Sequence, residues 1–226
     1  MGPKVPLSYR TTKLTVGTFL RMMFRPRYLD RDKIPVDGPL IIAANHLSHI
    51  DPAFIMTATK RPVSYMSKKE HFDGAIRRLV FKQVGVIPVD RSAGGADALK
   101  GAIKILEAGG AIGIFPEGTR SRDGDMGKGK TGVARLAAMT GAAVVPVAIR
   151  QAPRPWRKFY YKFGDPMYFN YKEKTQDNFR EFTDTIMSKI SELSEECEEY
   201  WNSRKITNRL KNWKDKTRQR IASWRE

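Results

Sequence analysis

The sequence predicts an α/β fold, in which a β-sheet is flanked by helices. Three observations support this prediction. Between residues 39 and 163, short apolar runs alternate with segments of helical pattern. The helical segment at residues 96–108 places Ala98, Ala102, Ile105 and Leu106 on one face, as a helix that covers a sheet requires. The chain has 226 residues, of which 41% are hydrophobic, and is large enough to bury a core.

The elements of this domain follow from length and periodicity. Four apolar runs have the length and composition of strands, namely residues 40–44, 63–66, 111–115 and 143–149. Three segments between them have a helical pattern, namely residues 53–59, 96–108 and 132–140. In residues 179–200 apolar side chains recur every three or four positions, which predicts an amphipathic helix that packs on the core.

The two ends of the chain are apolar and basic. Residues 14–24 form an apolar cluster that is bracketed by Lys and Arg, and residues 201–226 continue the helical period with a basic face. We therefore predict amphipathic terminal helices and divide the chain into three segments. These are a basic N-terminal segment at 1–33 that contacts a membrane, an α/β domain at 34–200, and a basic C-terminal helix at 201–226.

The charge of the chain predicts a polyanionic partner. The formal net charge is +17, of which residues 1–33 carry +6 and residues 203–226 carry +7. Trp213 and Trp224 would allow the C-terminal segment to stack on nucleic acid bases. A cationic amphipathic helix with tryptophans suits an anionic bilayer equally well, where each Lys or Arg adds about 1 kcal/mol. A solvated charged tail is the third interpretation.

The compartment predicted from the sequence is the cytoplasm. Cys197 is the only cysteine, so the sequence gives no sign of a disulfide framework. The longest uncharged runs, at 38–50 and 136–149, are shorter than the roughly 18 apolar residues of a membrane span. The sequence shows no signal peptide pattern. We expect a protein that is peripheral on the inner face of the cell membrane.

Residues 45–52, Asn-His-Leu-Ser-His-Ile-Asp-Pro, contain the first candidate catalytic pair. The segment follows a predicted strand and precedes a predicted helix, where open α/β sheets place their active sites. We predict that Asp51 is the N-cap of that helix and that Pro52 is its first residue. An ionised Asp51 close to His46 would fix the imidazole tautomer and make His46 a general base. The alternative is a helix cap beside a hydrogen-bonded histidine at a strand end.

Residues 115–122, Phe-Pro-Glu-Gly-Thr-Arg-Ser-Arg, follow another predicted strand. Guanidinium groups donate paired hydrogen bonds to phosphate oxygens, and Gly118 lets the backbone approach such a ligand. The segment is therefore a candidate phosphate site, with a solvated basic loop as the alternative. Residues 85–91, Gly-Val-Ile-Pro-Val-Asp-Arg, would aim Arg91 at the same anion, unless Arg91 is an ordinary surface charge.

These segments resemble the conserved blocks of the glycerolipid acyltransferase family, which includes the bacterial lysophosphatidic acid acyltransferases. The block N-H-x-S-x-x-D is matched from Asn45 to Asp51, F-P-E-G-T-R-S from Phe115 to Ser121, and V-P-V-A-I at 145–149, while Arg91 ends the second block. A K-x-E-L block is answered by Lys68-Lys69-Glu70-His71, with His in place of Leu. The resemblance implies the family's fold, a mixed β-sheet flanked by helices, and makes residues 34–200 the acyltransferase domain.

The resemblance also implies roles for individual residues. His46 would deprotonate the acceptor hydroxyl and Asp51 would orient it. The acceptor phosphate would be bound by Arg91, Glu117, Gly118, Thr119 and Arg120, with Lys68 as a further candidate. The expected acceptor is lysophosphatidic acid, with glycerol 3-phosphate or another lysophospholipid as alternatives. The acyl donor would be acyl-CoA or acyl carrier protein, used as a co-substrate, and no other cofactor and no metal is expected.

A competing motif is present at residues 124–131, which fit the G-x-x-x-x-G-K-[ST] pattern of a nucleotide-binding P-loop. A P-loop begins at the end of a strand, whereas the residues before this segment, 119–123, are polar. The segment is equally compatible with a basic loop beside the phosphate site. The sequence therefore favours an acyltransferase over an NTPase and over a nucleic-acid-binding protein.

Overall fold

The computed structural model describes residues 7–68, 74, 86–89, 96–121 and 126–222. Its helices are α1 (Leu7–Met23), α2 (Asp51–Ala58), α3 (Ala96–Glu107), α4 (Gly132–Thr140) and α5 (Gln176–Ala222). Its strands are β1 (Arg25–Leu29), β2 (Leu40–Ala44), β3 (Val63–Lys68), β4 (Ile87–Val89), β5 (Ala111–Ile114), β6 (Ala143–Arg150) and β7 (Lys158–Phe163). One 3₁₀ turn spans Arg31–Lys33.

These strands form one mixed sheet in the order β1-β7-β6-β2-β5-β3-β4. Every neighbouring pair is parallel except β6 and β7, which are antiparallel. The prediction of an α/β fold with a mixed sheet is confirmed. Because β2, β3, β4 and β5 run in the same direction, the loops that follow them leave from one edge of the sheet, which is formed by the carboxyl ends of these strands.

The sheet separates two hydrophobic cores. Alternate residues of β2 point to opposite faces, as the strand period requires. Leu40, Ile42 and Ala44 lie in the core that α1 and α2 cover. Ile41 and Ala43 lie in the core that α3, α4 and α5 cover. A strand buried on both faces in this way has a continuous apolar sequence, which is why β2 is recognisable from composition alone.

The predicted terminal helices are both present as helices. Helix α1 buries Tyr9, Thr12 and Leu20. Helix α5 continues through residue 200 without interruption, so that the predicted helix at 179–200 and the described part of the basic segment, residues 201–222, form one helix. Among the described helices, none is both long and apolar enough to cross a membrane.

Candidate active site

The candidate site lies where the loops after β2 and β5 meet. The two strands are paired in parallel, with Ala43 opposite Ile114, so the residues that follow them leave the sheet side by side. Two hydrogen bonds join the loops. The backbone N–H of Ser121 donates to the carbonyl oxygen of His46 over 3.0 Å, and the N–H of His46 donates to Glu117 Oε1 over 3.2 Å. Two motifs that are about 70 positions apart in the sequence therefore form one structural unit.

His46 and Asp51 form a hydrogen-bonded pair. His46 Nδ1 lies 3.0 Å from Asp51 Oδ2. The Asp51 side chain is fully buried, whereas 17% of the His46 side chain is exposed. Because a carboxylate accepts hydrogen bonds, the contact assigns the proton of the neutral ring to Nδ1 and leaves the lone pair on Nε2. This is the tautomer of a histidine that acts as a general base.

Asp51 is held by donors that precede its helix. Asp51 Oδ2 also accepts the backbone N–H groups of Leu47, over 2.9 Å, and of Ser48, over 2.7 Å. The prediction that Asp51 is an N-cap is wrong, because Ile50 occupies that position and Asp51 is the first residue of α2. The chain turns back at residues 46–50, where the N–H of Asp51 donates to the carbonyl of Ser48 over 3.1 Å. The turn brings the N–H groups of residues 47 and 48 onto the carboxylate.

Tyr161 completes the environment of Asp51 and was not predicted from the sequence. Its hydroxyl donates to Asp51 Oδ1 over 3.2 Å from strand β7. Burial, followed by the negative charge of Asp51, raises the pKa of Tyr161 well above its usual range, so the phenol remains a donor at neutral pH. No local sequence pattern indicates this hydrogen bond, because Tyr161 is 110 positions from Asp51 and is one of two tyrosines in the run Lys-Phe-Tyr-Tyr-Lys-Phe.

The His46 ring is fixed by aromatic packing. It stacks on the ring of Phe115, with centroids 3.9 Å apart and planes 15° apart. Tyr65 packs on the same phenylalanine at 5.9 Å and 22°. Since Phe115 directly follows β5, the second motif supplies a surface that orients the imidazole as well as the backbone contacts described above.

Glu117 lies within the wall of the site. The residue is buried, and both oxygens of its carboxylate accept backbone N–H groups, Oε1 from His46 and Oε2 from Gly127 over 3.1 Å. Glu117 therefore connects the His46 loop to the segment at 126–130. Its predicted contact with the acceptor phosphate stays a prediction.

A pocket of about 480 Å³ opens beside the His46 loop and is lined by Leu47, Thr119, Arg120 and Ser121. Gly118 makes the turn that presents these residues, with φ +71° in the left-handed region that glycine adopts readily. The N–H of Gly118 closes the turn onto the carbonyl of Phe115 over 3.0 Å. Thr119 and Arg120 are exposed and therefore accessible to a ligand. The pocket therefore has the donors that a phosphate requires.

The side chains of two predicted binding residues, Lys68 and Arg91, lie outside the described part of the structure. Lys68 ends strand β3 at the same edge of the sheet as His46, but its side chain lies outside the described residues. Arg91 lies outside the described residues altogether, two positions after the end of β4. Their roles in binding stay predictions.

The segment with the P-loop pattern uses its backbone N–H groups within the protein. The N–H of Gly127 donates to Glu117, and the N–H of Lys130 donates to the carbonyl of Pro116 over 2.8 Å. Gly129 is buried against Thr183 and Met187 of α5. A P-loop would offer such N–H groups to a nucleotide, so the described part of this segment does not form one.

Comparison with known proteins identifies the family of the chain. The family model described as Acyltransferase matches residues 25–150, which is more than half of the chain. A 1-acyl-sn-glycerol-3-phosphate acyltransferase of Bacillus subtilis is 31% identical over 147 residues, which are 62% of this chain and 72% of that protein. Proteins of the same name from Borreliella burgdorferi and from the Arabidopsis thaliana chloroplast are each 34% identical, over 52% and 50% of this chain. The chain spans only 48% and 32% of their respective lengths.

The structural comparison gives the same fold. The crystal structure of a 1-acyl-sn-glycerophosphate acyltransferase from Thermotoga maritima matches with a TM-score of 0.67. The match covers 85% of this chain and 79% of that one at 22% sequence identity. The region that the family model matches contains His46, Asp51 and the turn at 117–120. The chain belongs to the acyltransferase family.

Proposed function

We propose that the protein transfers a fatty acyl group from a thioester to the free hydroxyl of lysophosphatidic acid, which gives phosphatidic acid. The observation that carries this proposal is the His46–Asp51 pair beside a pocket lined by Thr119 and Arg120. The names of the relatives support this acceptor. Glycerol 3-phosphate and other lysophospholipids share the phosphate, and are the alternative acceptors.

His46 acts as the general base in the proposed reaction. Its Nε2 takes the proton of the acceptor hydroxyl while that oxygen attacks the thioester carbonyl. The new C–O ester bond forms and the C–S bond breaks, and the proton passes from His46 to the sulfur of the leaving thiolate. Asp51 stabilises the imidazolium between these steps. A positioned base typically contributes about 10² to 10⁴ in rate.

The acceptor phosphate is held by Arg120 and by the turn at Gly118 and Thr119 in this proposal. Lys68 and Arg91 are further ligands that the family resemblance implies. Anchoring the phosphate makes the attack of the hydroxyl effectively intramolecular, which lowers the entropic part of the barrier. Acyl-CoA or acyl carrier protein is the co-substrate, and the proposed chemistry requires no other cofactor.

The proposed acceptor lies in a membrane, and helix α1 has a surface that suits one. The helix exposes Leu7, Leu14, Phe19 and Met22 by 59 to 75%. Arg10 and Arg21 are exposed on the same helix. Apolar side chains with flanking cations favour the interface of an anionic bilayer. We therefore propose peripheral binding to an anionic phospholipid membrane on its cytoplasmic face, and no role in nucleic acid binding.

The reaction is tested with acyl-CoA and a panel of acceptors, comprising lysophosphatidic acid, glycerol 3-phosphate and lysophosphatidylcholine. His46→Ala is expected to lower kcat at least about 100-fold, because the base is removed. His49→Ala is the matched control, since His49 lies in the same loop, is exposed and has no proposed role. Equal turnover by wild type and His46→Ala would refute the mechanism, and a wild type inactive on every phosphate-bearing acceptor would refute the function.

A further inference from the structure

The side chain of Lys130 lies over the turn that lines the proposed phosphate pocket. A Cβ atom placed on Gly118 would lie 2.7 Å from Lys130 Nζ, 2.9 Å from its Cε and 3.2 Å from its Cδ. The ammonium group therefore occupies the space that the missing side chain of Gly118 leaves. Gly118 is directly followed by Thr119 and Arg120, which line the pocket.

The position of Lys130 is fixed from the backbone. Its N–H donates to the carbonyl of Pro116 over 2.8 Å, and its neighbour Gly129 is buried and accepts a hydrogen bond from Arg180 Nη1 over 2.9 Å. The residue is anchored at its Cα while the side chain remains exposed. This arrangement presents a cation at a defined place without burying its charge.

Lys130 takes part in none of the ion pairs found among the described residues. Glu117, which precedes Gly118, directs its carboxylate to two backbone N–H groups instead. Lys130 thus lies against the turn residue that directly precedes Thr119 and Arg120 of the pocket, and none of the ion pairs among the described residues neutralises it, so this cation is arranged for an anion.

We infer that Lys130 is a further cation of the acceptor-phosphate site, beside Arg120, and contributes to the selection of phosphate-bearing acceptors. The inference rests on the proposed function and adds a residue that the family blocks did not supply. The inference also assigns a role to the lysine of the P-loop pattern, which binds the phosphate of the lipid acceptor and not that of a nucleotide. Arg120 binds through a planar fork and Lys130 as a point charge, so the two cations are complementary.

The inference is tested by the kinetics of Lys130→Ala with lysophosphatidic acid. We expect KM for the acceptor to rise about tenfold or more, since a charge-assisted hydrogen bond is lost, and kcat to change less than about twofold. Lys130→Arg should restore most of the affinity. Lys128→Ala is the matched control, because Lys128 is exposed on the same segment. An unchanged KM in Lys130→Ala, or an equal rise in Lys128→Ala, would overturn the inference.

A double-mutant cycle with Gly118→Ala provides a geometric test. The added methyl group would displace the ammonium group, so Gly118→Ala should raise KM in the wild-type background. In the Lys130→Ala background, the same substitution should raise KM less, because no ammonium group is left to displace and only the strain of alanine at φ +71°, which both backgrounds share, remains. Additive effects would show that Gly118 and Lys130 act separately and would contradict the inference.

Failure of this inference is distinguishable from failure of the proposed function. If wild type acylates none of the acceptors, the function fails, and the site is then tested by titration with glycerol 3-phosphate, followed by NMR. Weaker binding by Lys130→Ala than by Lys128→Ala would still support a phosphate site that includes Lys130. Equal binding by the two variants would refute that site whatever the reaction is.

Discussion

Asp51 shows how a buried charge is made tolerable at the scale of single residues. A carboxylate removed from water is costly unless hydrogen bonds replace its hydration. Asp51 is fully buried and accepts hydrogen bonds from His46, Leu47, Ser48 and Tyr161. Three of these donors belong to the loop that carries the proposed base. The network that stabilises the charge therefore also holds the imidazole.

Tyr161→Phe tests the contribution of the fourth donor. We expect kcat to fall about tenfold, because a hydrogen bond to a charged group is lost while the ring remains. Tyr160→Phe is the control, because Tyr160 lies on the opposite face of β7 and packs on Tyr200. A kcat in Tyr161→Phe that equals that of the wild type, or an equal fall in Tyr160→Phe, would mean that the hydrogen bond to Asp51 does not contribute to catalysis.

The predictability of the site depends on sequence distance. His46 and Asp51, and the turn from Glu117 to Arg120, each lie within a few positions, so spacing and residue type are sufficient to indicate their chemistry. Two further features depend on which strands are neighbours. These are the backbone N–H groups that the Glu117 carboxylate accepts and the hydrogen bond from Tyr161 to Asp51. The N-cap prediction failed for a local reason, because the turn at 46–50 brings the N–H groups of Leu47 and Ser48 onto the Asp51 carboxylate and the helix begins at Asp51 itself.

The same contrast holds for whole elements. Strand β2 and helix α4 have the predicted bounds, 40–44 and 132–140, since the first is buried on both faces and the second has a clear period. Strands β1, β4 and β7 were not predicted. The β1 sequence Arg-Pro-Arg-Tyr-Leu has charges and a proline, which are tolerated in the outermost strand of a sheet. β1 is such an outermost strand. Its pairing with β7 is a property of the fold and not of the segment.

Helix α1 carries the element-scale prediction, which concerns membrane binding. Leu14→Gln combined with Phe19→Gln should weaken binding to vesicles that contain anionic phospholipid by about tenfold or more, because two apolar side chains are lost from the interface. The melting temperature should remain unchanged, since both side chains are exposed.

The control for α1 is Val36→Gln, because Val36 is an equally exposed apolar residue outside the helix. Sedimentation with vesicles at low and high salt measures the binding. Undiminished sedimentation of the double variant would exclude Leu14 and Phe19 of α1 from the docking surface. Loss of binding in Val36→Gln to the same extent would show that the effect is not specific to the helix.

At the scale of the whole molecule, the two edges of the sheet that are formed by the carboxyl ends and by the amino ends of β2, β3 and β5 have different roles. The edge after β2 and β5 carries the proposed chemistry, and the opposite edge is closed by Arg61. This buried arginine donates to the carbonyl oxygens of Pro35, over 3.4 Å, of Gly38, over 2.7 Å, and of Gly109. Gly38 and Gly109 shortly precede β2 and β5, and Arg61 precedes β3. One side chain therefore ties together the starts of three neighbouring strands.

Arg61→Ala should separate stability from activity. The substitution leaves carbonyl groups without a donor and removes the packing of the side chain, so we expect the free energy of unfolding to fall by about 2 to 4 kcal/mol. For a chain of this size, the melting temperature should fall by roughly 5 °C or more. The folded enzyme should keep kcat and KM within about twofold, because the site is at the other edge.

Lys60→Ala, an exposed neighbour, is the control. Calorimetry and kinetics on the same samples decide the matter: a large loss of kcat at a temperature where Arg61→Ala is fully folded would mean that the two edges are coupled.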